Sequence, residues 1–67
     1  MSKFPERLKE LRIEKSLSKS QLARELKFSQ PAISRWENAQ QIPNIEDAIR
    51  IAQYFGVTTD YLFGLED

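Results

Sequence analysis

An all-α domain of five short helices is the fold class that this 67-residue chain predicts. Three observations carry the expectation. Apolar residues recur at spacings of three and four in every periodic segment, no segment alternates as a half-buried strand would, and Ser18, Ser29, Asn44 and Thr58 stand where helix N-caps are needed. No internal repeat is visible and no linker splits the chain, so residues 1 to 67 read as one domain.

The first helix is placed near residues 4 to 14, where Phe4, Leu8 and Leu11 share one face. Pro5 is tolerated in its first turn because the missing N–H would be unpaired there anyway. The second runs about 19 to 26: the Ser18 hydroxyl caps it while Gln21 reaches back, and Leu22, Ala23 and Leu26 form its apolar stripe. After a break at Lys27-Phe28, Ser29 caps a third helix that begins with Gln30 and Pro31 and turns Ile33 and Trp36 inward. Because Pro31 has no N–H, Ser29 is expected to bond the amide of Ala32. Residues 38 to 44 read as a loop that Ile42 pins to the core. Asn44 caps the fourth helix, in which Ile45, Ala48, Ile49, Ala52 and Phe55 repeat at three and four, and Gly56 stops it. Thr58 caps a short fifth helix that ends at Leu62 or Phe63, with Val57 and Leu62 facing helix four.

A chain this short has a modest core and no room for a large buried cleft. Cysteine and histidine are absent, which removes disulfides, the usual metal ligands, the usual general base and the usual nucleophile. The acids are scattered on helix faces, and Gly56 and Gly64 alone cannot build a phosphate cradle, so no enzyme, cofactor or small-molecule substrate is expected. No apolar run suits a signal peptide or a membrane span, and a cytoplasmic protein without a membrane partner is the expectation. Ten basic and ten acidic residues cancel overall, but unevenly: residues 1 to 37 carry a net +4 and residues 38 to 67 a net −4. Attraction to phosphate follows local potential, so the first half can present a basic face to nucleic acid.

The informative stretch is Leu17 to Asn38. Two helices of about two turns joined by a three- or four-residue turn form a helix-turn-helix, whose second helix enters a DNA major groove. Leu22, Ala23 and Leu26 point toward Ile33 and Trp36, and small Ala23 permits close approach of the helices. The opposite face of helix three is left polar, with Gln30, Ser34 and Arg35.

From these residues outward the chain resembles the phage-repressor and Cro-type family, also called the xenobiotic-response-element family. The similar segments are Glu-Arg-Leu-Lys-Glu-Leu-Arg, Gln-Leu-Ala, Ser-Gln-Pro-Ala-Ile-Ser-Arg-Trp-Glu-Asn, Ile-Pro-Asn and Phe-Gly-Val-Thr-Thr-Asp-Tyr-Leu-Phe-Gly, in that order. The resemblance implies a five-helix lambda-repressor-like DNA-binding domain with its helix-turn-helix at helices two and three. It also implies sequence-specific binding of double-stranded DNA, an inverted-repeat operator, and a transcriptional regulator, a repressor by expectation, that works as a dimer; the small apolar patch at the C-terminal end makes a weak homodimer the expectation. By position it places Gln30, Pro31, Ser34 and Arg35 at base edges. Gln30 suits adenine, Arg35 suits guanine, and Pro31 offers apolar contact to a thymine methyl. It places Lys19 and Gln21 at phosphate beside the N-terminus of helix two, with Asn38 and Gln40 adding phosphate contacts. Arg12 and Glu37 match positions where an ion pair joins the first and third helices. Arg7, Lys9, Glu10 and Glu14 read as an exposed face of mixed charge.

Three residues depart from the family pattern. Ser16, Lys27 and Ala39 stand at turn positions where the family often has glycine, which implies backbone strain if those turns are left-handed. Gln40 and Gln41 also stand where many relatives carry positive charge. At the C-terminal end Tyr61, Phe63 and Leu65 are the candidate dimer contacts, Phe63 and Leu65 being the expected exposed pair. Two alternatives stay open: an interaction module such as an antitoxin that mainly binds a protein, and the N-terminal domain of a longer repressor whose linker starts at Gly64-Leu65-Glu66-Asp67.

Overall fold

In a computed structural model that describes residues 2–66, each helix is set by local chemistry before any packing is considered. The order is α1 (Phe4–Glu14), α2 (Lys19–Leu26), α3 (Gln30–Glu37), α4 (Ile45–Phe55) and α5 (Thr59–Phe63), with no strand among the described residues. Asp67, the last residue of the expected linker, lies outside the described range.

The expected caps all form. Ser18 Oγ accepts from the Gln21 amide at 3.0 Å while Gln21 Oε1 accepts from the Ser18 amide at 2.8 Å, a complete capping box. Ser29 Oγ takes the Ala32 amide at 3.2 Å, Asn44 Oδ1 takes Asp47 at 2.8 Å, and Thr58 Oγ1 takes Tyr61 at 2.9 Å. Every cap serves the third residue of its helix, an amide that would otherwise lack a partner.

All five helices also end in the same way. A residue with φ between 58° and 81° follows each: Ser16, Lys27, Ala39, Gly56 and Gly64. The next amide then donates back five residues, Leu17 to Arg12, Phe28 to Ala23, Gln40 to Arg35, Val57 to Ala52 and Leu65 to Asp60, at 2.7–3.1 Å. This is the Schellman closure, and it reverses the chain within two residues. Glycine adopts the left-handed conformation freely, whereas Ser16, Lys27 and Ala39 each bear a strain of about 1 kcal/mol. All three of these turns are left-handed, so the alternative of a different backbone at the missing glycines does not apply.

The core draws on every helix. Phe4 and Leu8 of α1, Leu22 of α2, Ile33 of α3, Ile51 of α4 and Leu62 of α5 are fully buried. Trp36 joins α3 to this core: the Phe4 ring meets it edge-on at 6.4 Å and the Phe28 ring at 5.0 Å.

Three isoleucines do not do what their spacing suggests. Ile42 does not pin the loop to the core; it is 66% exposed, and Ile45 and Ile49 of α4 are 79% and 42% exposed. The buried arc of α4 is Ala48, Ile51 and Ala52, so Ile45 and Ile49 fall at its edge although they satisfy the same periodicity. Arg7 also departs from the expected solvated face, because its Nη1 donates to the Tyr61 carbonyl at 2.7 Å and its guanidinium lies 4.0 Å over the Tyr61 ring. It ties α1 to α5.

Lys27 has φ 60° and ψ 37° and closes α2 in the turn that leads to α3. Lys27→Gly is expected to raise stability by up to about 1 kcal/mol, reduced by the added freedom of the unfolded chain. The urea midpoint measures it; a lower midpoint would contradict a strained turn.

Candidate nucleic-acid interface

α2 and α3 are joined by residues 27–29. Their inward faces, Leu22, Ala23 and Leu26 on one and Ile33 and Trp36 on the other, are buried against each other and against α1. An eight-residue helix has one buried face and one free face, so the burial of Ile33 and Trp36 dictates what α3 shows to solvent. Gln30, Pro31 and Arg35 are exposed and Ser34 is half-buried between them. Among the described residues, no internal hydrogen bond or ion pair engages the side chains of Gln30, Ser34 or Arg35. Their bonding capacity is free for a ligand.

The orientation of α3 is set on its other side. Arg12 Nε donates to Glu37 Oε2 at 2.7 Å, Arg12 Nη2 donates to Glu37 Oε1 at 3.0 Å, and Arg12 Nη1 donates to the Leu17 carbonyl at 2.8 Å. The fork therefore grips α3, α1 and the α1–α2 loop together. Arg12 is 9% exposed and the Glu37 side chain 2%. Hydrogen bonding to Glu37 holds the guanidinium above its ordinary value, against the opposing pull of burial and aided by the carboxylate charge. With Glu37 neutralised inside, Arg35 supplies the charge on the free face of α3.

The other expected contacts lie in the first turn of α2, at the closing turn of α3 and in and after α5. The first-turn amides of α2 at Lys19 and Ser20 precede the first intrahelical bond, made by Leu22, and the Ser18 hydroxyl takes the Gln21 amide instead. Lys19 is half-buried and Gln21 exposed; the Gln21 carbonyl oxygen is committed to the capping box, which leaves its amide nitrogen for an outside acceptor. Asn38 and Gln40 are exposed at the closing turn of α3, where the Gln40 amide holds the Arg35 carbonyl at 2.9 Å. Tyr61 is half-buried under Arg7, Phe63 stacks on Phe4 at 5.1 Å, and Leu65 is exposed. The structure thus groups the base-facing candidates on α3, with Asn38 and Gln40 at its closing turn and Lys19 and Gln21 in the first turn of α2.

Sequence reading missed Phe28 and Arg50. Phe28 lies inside the turn with its ring edge against Trp36, and the Arg50 guanidinium lies 4.6 Å over the Phe28 ring. An aromatic residue within the turn, and one basic residue within the acidic half of the chain, were the available signals.

Two capped helices joined by a tight turn, with a braced second helix whose polar face is free, define a helix-turn-helix protein. The chain belongs to the Cro/C1-type helix-turn-helix family, whose model, described as helix-turn-helix, matches residues 8–62. It is 42% identical over 64 residues to the HTH-type transcriptional activator BcrR of Enterococcus faecalis, covering 96% of this chain and 31% of that protein. It is also similar to a solved transcriptional regulator from Listeria innocua, with a TM-score of 0.89 and 30% identity over all of this chain and 63% of that one. The chain therefore spans about a third of the first relative and under two thirds of the second.

Base readers and phosphate holders separate by experiment. Arg35→Ala is expected to cost roughly 1–3 kcal/mol on the preferred duplex and to relax preference at one base pair of each half-site. Lys19→Ala is expected to weaken all duplexes alike and to lower the log–log salt slope by about one unit per monomer. Titrations of both variants on preferred and scrambled duplexes distinguish the roles; equal losses for Arg35→Ala would make it a phosphate contact.

Proposed function

We propose that this chain is a sequence-specific DNA-binding domain of a transcriptional regulator, with α3 reading one half of an inverted-repeat operator in the major groove. The observation that carries this reading is the free polar face of Gln30, Ser34 and Arg35 on a helix whose other side is fully committed to core and ion pair. A bidentate guanidinium and a bidentate carboxamide fit guanine and adenine, Ser34 bonds either, and Pro31 packs on a thymine methyl. Lys19, Gln21, Asn38 and Gln40 would hold phosphates on either side and fix the register. No cofactor or chemical step is needed. Where the site overlaps a promoter, occupancy excludes polymerase and the regulator acts as a repressor. Such a protein works in the cytoplasm, and no helix among the described residues is long and apolar enough to cross a membrane.

A second copy completes the reading. Leu65 is 78% exposed and, with Phe63 and the exposed Ile42, Ile45 and Ile49, lines a groove of about 400 Å³ at the α4–α5 end. Ile42 and Pro43 also line the hollow beside Arg35, so a copy seated here lies next to the reading helix along the same duplex. Tyr61 and Phe63 are partly engaged by Arg7 and Phe4, which shifts the weight of the dimer contact to Leu65 and the isoleucines. The exposed apolar area is on the order of a few hundred Å², less than the roughly 800 Å² per partner of a stable complex. The dimer is accordingly weak alone and is stabilised when DNA holds two copies about one duplex turn, ~34–36 Å, apart.

The same apolar groove favours one alternative, a module that mainly binds another protein through α4 and α5. Selection from a random duplex library separates the two. Enrichment of an inverted repeat is expected, and Ile45→Ser with Leu65→Ser should weaken binding to the palindrome while leaving an isolated half-site unchanged. Failure to enrich any sequence would overturn the DNA reading.

A further inference from the structure

We infer that Arg50 is a positioning residue for sequence reading, acting from α4 through the helix-turn-helix turn to orient α3. This rests on the reading of α3 as the DNA-reading helix. Arg50 is not on the DNA-facing elements; it lies on α4, 24 residues from the carbonyl it touches. Its Nη2 donates to the carbonyl of Leu26, the last residue of α2. A helix leaves its final carbonyls without intrahelical partners, and a cation there also complements the negative end of the helix dipole. Arg50 therefore acts as a C-cap supplied from a distant helix. Asp47 Oδ1, one turn earlier on α4 and 3.8 Å from Arg50 Nη1, steadies the guanidinium.

The same guanidinium covers the residue on the far side of the turn. Its Cζ lies 4.6 Å from the centre of the Phe28 ring, and that ring meets Trp36 edge-on at 5.0 Å and 86°. Lys27, the residue between these two contacts, holds φ 60° without the freedom of glycine. One side chain thus brackets a strained residue, bonding the backbone before it and stacking on the ring after it. Phe28 transmits the constraint to Trp36, and Trp36 is the anchor of α3 in the core. Arg12 and Glu37 brace the C-terminal end of α3 from α1; Arg50 braces its entrance from α4.

The test compares Arg50→Ala and Arg50→Lys with the wild-type chain, on the duplex that the wild type selects and on a scrambled duplex, over a range of salt. Arg50→Ala is expected to lose roughly tenfold on the selected duplex, the order of one mismatched base pair, and much less on the scrambled one. Its log–log salt slope should stay unchanged, because the charge faces a carbonyl and a ring and not phosphate. Arg50→Lys keeps a cation over Phe28 and should recover part of the discrimination. Without DNA, the indole resonance of Trp36, the one tryptophan of the chain, should move in Arg50→Ala and return toward the wild-type position in Arg50→Lys. If Arg50→Ala does not fold, the lysine variant alone is read, with an intermediate loss of discrimination and an intermediate shift expected. Equal losses on both duplexes, a slope lowered by about one unit, or wild-type discrimination with an unmoved indole would overturn the proposal. If the wild type selects no sequence, the DNA reading fails on its own, and the Trp36 resonance still decides whether Arg50 sets the turn.

Discussion

The Arg12–Glu37 pair is the constraint on which the placement of α3 depends. An eight-residue helix has no stability of its own in water, so its position is whatever its contacts impose. Ile33 and Trp36 bury its inner face, but an apolar contact is tolerant of small rotations. A two-pronged ion pair with bonds of 2.7 and 3.0 Å is not. Removing one partner would strand the other charge in the core, at a cost on the order of 3–5 kcal/mol, against a total stability of roughly 3–10 kcal/mol for a chain of this size. Desolvation offsets much of the pair's Coulomb gain, so its chief effect is on the geometry of α3 rather than on net stability.

The same economy governs the connections. Repeated left-handed closures turn the chain within two residues and keep the α1–α2, α2–α3 and α4–α5 connections to three or four residues; the α3–α4 connection runs to seven. At Ser16, Lys27 and Ala39 this compactness is bought with strain, and two of those positions flank α3 directly. Side chains from distant elements then clamp the strained places. Arg12 takes the Leu17 carbonyl after Ser16, and Arg50 takes the Leu26 carbonyl before Lys27. At the C-terminal end the Lys3 backbone amide donates to the Phe63 carbonyl and the Arg7 guanidinium to the Tyr61 carbonyl, tying the start of α1 to α5.

What could be read in advance divides along the range of the interactions. Caps are decided within three residues, so Ser18, Ser29, Asn44 and Thr58 gave the helix starts correctly, and Gly56 gave the end of α4. Periodicity identified the buried faces of α1, α2 and α3. It failed on α4, because spacing cannot say how wide the buried arc is: Ile45 and Ile49 share the stripe with Ala48 and Ala52 but overhang its edge, while fully buried Ile51 lies on its other side. Arg7 read as a surface charge because its helical neighbours are charged, yet its partner Tyr61 is 54 residues away. The Arg12–Glu37 pair was legible through family resemblance alone, and Arg50 over Phe28 was not legible, since neither helical spacing nor a local motif links residues so far apart.

The free face of α3 gives these constraints their purpose, for a helix braced at both ends presents Gln30, Pro31, Ser34 and Arg35 in one fixed array. Titrating the isotope-labelled chain with its selected duplex, and following the backbone amides by NMR, tests that claim most directly. The largest shifts are expected at residues 18–21 and 29–40, which hold the first turn of α2 and all of α3 with its closing turn. Shifts confined to residues 42–49 and Leu65, with α3 silent, would contradict it and identify the apolar groove as the working surface.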